Sequence, residues 1–307
     1  MTTLVLGGSF LSAGFAQAGP LGPASDYNVF ILGDATQQYT DSEGRVAVGG
    51  NATYNGYSVA SSLPSNTSNA LVVGQSLNFT NGSVKGDVHY GTTANISGAG
   101  ISGTTTNDSP IDFNAAKSSL SSQSSSLSQL AATGTYASNY GVTLTSSNTS
   151  LAVFNLTTAQ LQAANGFGLN IVVPNGATVV INVDGTTGST LNLSNFQMSI
   201  NGSSSESNPQ INKVLFNLTN VSTFTTSGLS ILGSILAPNT ALNMSNGHVD
   251  GTLIGASLTG GIEAHNYVFN GNLPSVAVPE PSSVVLLGLS AVGCGLFVRR
   301  QRRQTAA

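Results

Sequence analysis

Seven Asn-Gly pairs punctuate the chain, at 55–56, 81–82, 165–166, 175–176, 201–202, 246–247 and 270–271. Asn and Gly tolerate positive φ, so each pair marks a point where the backbone turns sharply. The segments between them are short and rich in Val, Ile and Leu: 29–32, 46–48, 71–73, 169–173, 179–183, 214–218 and 231–236. Short apolar runs bounded by turn signals are the pattern of β-strands in an all-β protein.

An internal repeat sharpens this. Leu77-Asn78-Phe79-Thr80-Asn81-Gly82-Ser83-Val84-Lys85-Gly86 aligns with Leu242-Asn243-Met244-Ser245-Asn246-Gly247-His248-Val249-Asp250-Gly251, with six of ten positions identical. Each copy reads strand, Asn-Gly corner, strand, Gly corner. That rhythm suits coils of an irregular parallel β-solenoid, in which like strands stack on like strands. A β-sandwich also has short strands and many turns and stays open as the alternative.

One segment has a different period. In residues 111–132, Phe113, Ala116, Leu120, Leu127 and Leu130 share one helical face, and Asp112 or Ser109 can cap the start. A helix flanking the β body is expected there. The competing reading is a Ser-rich linker.

Only 7% of residues are charged, while 40% are hydrophobic. Disorder requires the reverse balance. Four of the eight basic residues are Arg299, Arg300, Arg302 and Arg303. The others, Arg45, Lys85, Lys117 and Lys213, stand against twelve acidic residues, a net of −8. An acidic body without a basic face is not a nucleic-acid partner. The one cysteine, Cys294, lies in the C-terminal apolar run, so the body has no disulfide framework.

Both ends carry address signals. Residues 4–18 form a weak apolar stretch ending Ala16-Gln17-Ala18. Small residues at Ala16 and Ala18 suit a signal peptidase, and residues 1–18 are expected to be a signal peptide, though the usual basic segment before the apolar one is missing. A buried first strand is the alternative. At the other end Pro279-Glu280-Pro281 precedes an uncharged run over 282–298 and then the Arg cluster. As a helix the 18 residues from Pro281 to Val298 span about 27 Å, enough for the hydrocarbon core of a bilayer. A transmembrane helix over about 282–298 is expected, with Arg299, Arg300, Arg302 and Arg303 on the cytoplasmic side.

This tail resembles the PEP-CTERM sorting signal of Gram-negative bacteria, in residues 275–307. The resemblance implies recognition of Pro279, Glu280 and Pro281 by an exosortase-type enzyme, transient anchoring in the inner membrane, cleavage, and delivery to the cell surface or matrix.

The body resembles the choice-of-anchor A domain. The likeness rests on residues 26–34 (DYNVFILGD), 43–51 (EGRVAVGGN), the helix start at Pro110-Ile111-Asp112-Phe113, and the closing 233–238 (GSILAP) through Gly251 and Leu273-Pro274. It implies one extracellular, adhesive β domain over 19–274 with no established catalytic residues; with the sorting tail, the expected partners are extracellular polysaccharide or a surface protein. The closing stretch is also similar, more distantly, to β-solenoid ice-binding domains. Ice binding, to which Thr223, Thr225 and Thr226 are suited, and a carbohydrate-active enzyme are the alternatives; against ice binding, no regular Thr repeat is visible.

Catalytic signatures are sparse. Gly98-Ala99-Gly100-Ile101-Ser102-Gly103 fits G-x-G-x-x-G, but neither a helix nor a suitably spaced acid follows. His89, His248 and His265 show no zinc-motif spacing, and no G-x-S-x-G elbow occurs. No cofactor and no metal are expected, a single carboxylate-and-carbonyl calcium site staying open as the alternative. Glu43 and Arg45 are expected to pair at a corner. Tyr54, Tyr57 and Tyr90 could stack on sugars or simply pack. The Asn-x-Ser/Thr triplets at Asn51, Asn78, Asn155, Asn217 and Asn243 are read as compositional.

Overall fold

The computed structural model describes residues 19–274. The signal-peptide segment with Ala16 and Ala18, the Pro279-Glu280-Pro281 motif, the 282–298 span and the Arg cluster lie outside the described residues. Among the described residues no helix is long and apolar enough to cross a membrane.

The body is mostly β, with two α-helices, α1 at Phe113–Ser128 and α2 at Thr158–Gln162. Strand pairing is parallel except for the hairpin of Thr135–Ser138 with Val142–Thr145, which turns at Tyr140-Gly141. Val29, Val46, Leu71 and Val88 sit one above another, so the chain returns to the same point after 17, 25 and 17 residues. Each such return is one coil.

The coils are not stacked in chain order. Val29–Ile31 pairs with Val46–Val48 on one side and with the start of Leu253–His265 on the other. From that middle position the N-terminal coils build outward to Thr105–Thr106. The C-terminal coils begin at the opposite edge, with Leu151–Thr157, and build back until Leu253–His265 closes on Val29–Ile31.

Alternation along each strand separates core from surface. Phe154, Ile181, Phe216, Ile235, Leu253, Val29, Val46, Leu71 and Val88 form one inward row, all buried. The next residue along each strand points outward, beneath α1. There Leu236, Ile254, Phe30, Ala47 and Val72 stack in register and pack with Ala116, Leu120 and Leu127 of the helix. Asp112 caps α1 by accepting from the backbone N–H groups of Asn114 and Ala115, at 3.1 and 2.9 Å. The expected helical face is therefore present, but the helix ends at Ser128, and Leu130 packs from the loop beyond it.

Under the C-terminal half of α1 the same outward row turns polar. Asn155, Asn182 and Asn217 stack in register and hydrogen-bond side chain to side chain at 2.9 Å. Each also donates to a carbonyl above it: Asn217 to Ser124, Asn182 to Leu127 and Asn155 to Leu130. Ser124 returns a 2.6 Å bond to Asn217 Oδ1. The ladder thus ties the end of the helix and the residues just beyond it to the stack, adding a second donor to Leu127 O, which already accepts from Leu130 N–H.

Several expectations are corrected. Asn81-Gly82 and Asn246-Gly247 are corners, as the repeat implies, but each lies inside one continuous strand rather than between two. The apolar run 231–236 is split at Leu232-Gly233, because Gly233 has φ +149 and begins a new face. By contrast, the glycine-rich 98–101 stretch is strand, in line with the expectation that no helix opens there. Glu43 and Arg45 do not pair: Glu43 accepts from Asn266 N–H, and Arg45 Nε donates to Ser68 O.

Candidate functional site

Two groups of residues stand out, one a face and one a cluster. The face lies on the flank of the coils that follows the α1-covered one. Its inward row is Leu191, Phe224, Leu242, Leu258, Ala35, Ala52 and Leu77. Its outward row is Asn192, Thr225, Asn243, Thr259, Thr36, Thr53, Asn78 and Asn95, all in register. Thr225 is half-buried and the other seven are exposed. A parallel row carries Ser194, Ser227 and Ser245, then Gln38, Asn55, Thr80 and Ser97. Neither row contains a charge. Coils repeat at about 4.8 Å and alternate side chains along a strand at about 7 Å, so the rows form a flat grid of hydroxyls and amides. Some neighbours pair within the grid, as Thr259 Oγ1 donates to Asn243 Oδ1 at 2.7 Å.

The sequence-level candidates sort unevenly onto this face. Of the three threonines suited to ice binding, only Thr225 joins the row, and Thr226 is buried. Asn78 and Asn243, read as compositional triplets, are row members, whereas Asn155 and Asn217 belong to the ladder under α1. Thr36, Thr53 and Thr259 were not legible as a set, because 206 residues separate Thr53 from Thr259 in a row that only the closing of the stack assembles. Tyr54 and Tyr57 are buried, ring to ring at 4.8 Å, and Tyr54 meets Phe79 edge-on, so both are packing residues rather than sugar platforms. Tyr90 is half-buried against the same core.

The cluster sits on the third flank. Asp250 and His265 are register neighbours at the ends of Ser234–Asp250 and Leu253–His265, and His248 is two residues before Asp250. His265 Nδ1 lies 2.7 Å from Asp250 Oδ1, and His248 Nε2 lies 3.8 Å from the same oxygen. Glu206, from the loop after Met198–Ile200, brings Oε1 to 3.8 Å from His265 Nδ1. The two imidazoles stack with centroids 5.0 Å apart. The hydrogen bond that His265 donates to Asp250 raises its pKa to about 9, with the charges of Asp250, Glu206 and Glu263 adding to it and burial opposing it. Asp250 is fully buried, and its Oδ2 has no hydrogen-bond partner. Two of the histidines that look scattered in sequence are thus neighbours in space. The third, His89, pairs separately with Asp108 at 2.5 Å.

Residues 20–266 match the family described as putative ice-binding-like adhesive domain. The chain belongs to that family. Residues 277–303 match the PEP-CTERM protein-sorting motif, so the adhesive-domain protein carries an export and surface-sorting signal of the kind that exosortase-type enzymes process. No curated protein matches the chain. Among solved structures, an ice-binding protein from the Antarctic ascomycete Antarctomyces psychrotrophicus is similar at 13% identity and TM-score 0.35, over 83% of this chain and 100% of that one. An ice-binding protein from an Antarctic biological consortium is similar at 11% identity and TM-score 0.33, over 87% and 96%.

Proposed function

We propose that the body is a non-catalytic adhesive module, an irregular β-solenoid of the choice-of-anchor A kind, whose contact surface is the Thr/Asn grid. The observation that carries the reading is the eight-residue outward row, uncharged, in register and almost wholly exposed. Hydroxyls and amides at fixed spacing hydrogen-bond a repeating polyhydroxylated polymer such as exopolysaccharide. Because the face is uncharged, binding tolerates salt. In this reading the chain leaves the cytoplasm on the residues 1–18 signal and is held briefly in the inner membrane by the 282–298 helix, with Arg299, Arg300, Arg302 and Arg303 inside. Cleavage at Pro279–Pro281 by the exosortase then releases it to the surface.

The test is cosedimentation of the protein with envelope polysaccharide from its host, at low and high salt. The expected result is binding insensitive to salt and weakened at least about tenfold by Thr36→Lys with Thr53→Glu, two exposed changes at register partners whose opposite charges leave the melting temperature nearly unaltered. Retained binding by that variant would remove the grid from the reading.

Ice binding is the second reading, favoured by the consecutive register of Thr259, Thr36 and Thr53. Thermal hysteresis by the same protein, lost in the same variant, would select it.

A further inference from the structure

We propose that Glu206, His248, Asp250 and His265 form a binding site for a divalent transition metal of the zinc class, which ties the 201–210 loop to the two closing coils. The four come from three separate segments: the loop, the end of Ser234–Asp250 and the end of Leu253–His265. Each offers one ligand atom, and the four atoms lie within 4.8 Å of one another. Zinc bonds to nitrogen and oxygen of about 2.0–2.1 Å put tetrahedral ligands about 3.4 Å apart. The separations of 2.7, 3.8 and 3.8 Å in the cluster bracket that edge.

The second observation is Asp250. Its carboxylate is fully buried, yet Oδ2 has no partner. A buried charge with an unmet lone pair is costly, and a cation beside it removes the cost. The donor set decides which cation. Two imidazoles with two carboxylates suit zinc and its first-row neighbours; calcium and magnesium take oxygen. His248 Nε2 shares a 2.9 Å hydrogen bond with Ser230 Oγ, which a metal on that nitrogen displaces. His265 Nε2 lies 3.4 Å from Glu263 Oε1, so a metal on Nδ1 leaves a carboxylate beside the other ring nitrogen. The backbone carbonyl of His265 accepts from the buried Asn28 at 2.9 Å, which places the site against the junction of the first and last coils.

The test is titration of the full chain, without an affinity tag, with Zn2+ by calorimetry and with Co2+ by visible absorption. One Zn2+ per chain is expected, with a raised melting temperature that a chelator reverses. His248→Gln and Glu206→Gln, both at partly exposed side chains and expected to fold, should weaken binding at least about 100-fold, and Glu263→Gln about 10–100-fold. His89→Gln should leave it unchanged. Absence of saturable Zn2+ binding overturns the proposal. So does binding that survives both His248→Gln and Glu206→Gln in variants whose circular dichroism matches the parent.

Discussion

At the scale of single residues, the corners decide whether coils can stack. A Cβ on Gly82 would lie 2.0 Å from Tyr57 O, and one on Gly247 would lie 2.0 Å from Leu229 O. Both glycines also hold φ well inside the positive region, at +105 and +146. Gly176 and Gly202 share positive φ but have open space around the missing Cβ. Gly247→Ala should therefore cost about 2–3 kcal/mol, from strain plus overlap, and Gly202→Ala about 1 kcal/mol, from strain alone. Denaturant midpoints of the two variants check this; equal losses would mean that backbone conformation alone sets the cost. These corners are also the source of the internal repeat. Leu77, Phe79 and Val84 point inward as Leu242, Met244 and Val249 do, with the Asn-Gly pair at the same bend.

At the scale of elements, α1 is held by two different devices. Apolar contact secures its first turns, and the Asn155–Asn182–Asn217 ladder secures its end. Asn217 is fully buried and makes bonds to Ser124 O, Ser124 Oγ and Asn182 Oδ1. Asn217→Ala should cost on the order of 2–4 kcal/mol, since it strands buried partners on both sides. Hydrogen exchange should show the loss concentrated at residues 124–130; if α1 keeps its protection, the ladder is not what fixes the helix. The helix itself was legible, because a 3.6-residue apolar period and a capping Asp are local signals. So were most strands. The ladder was not, since three asparagines at spacings of 27 and 35 residues look like composition until the coil lengths between them are known. The His–Asp cluster was hidden for the same reason. Asp250 and His265 are 15 residues apart, close to one coil, and no local motif marks them. Glu206 reaches them from a loop that no periodicity predicts.

At the scale of the whole molecule, the first and last coils of the described body meet in the middle of the stack. Val29–Ile31 is the hinge of this arrangement, with early coils on one side and the last coil on the other. The contact spans 224 residues of sequence, so it carries a large closure entropy and forms only when the rest is built. Asn28 fastens it. Its Nδ2 donates to Gly251 O and His265 O, and its Oδ1 accepts from Ser42 Oγ and Gly44 N–H. All four bonds are buried or partly buried; the two donated by Nδ2 join first coil to last, and the two accepted by Oδ1 close the first coil on itself. Asn28→Ala removes the two junction bonds together with two inside the first coil, while leaving the backbone strand ladders of both half-stacks in place. If the halves are separate cooperative units, native-state hydrogen exchange of this variant should open 29–31 and 253–255 together, ahead of 71–73 and 179–183. Uniform loss of protection across all four segments would instead mean that the coils melt as one body, and that the junction, despite its length of closure, is no weaker than any other pair of coils.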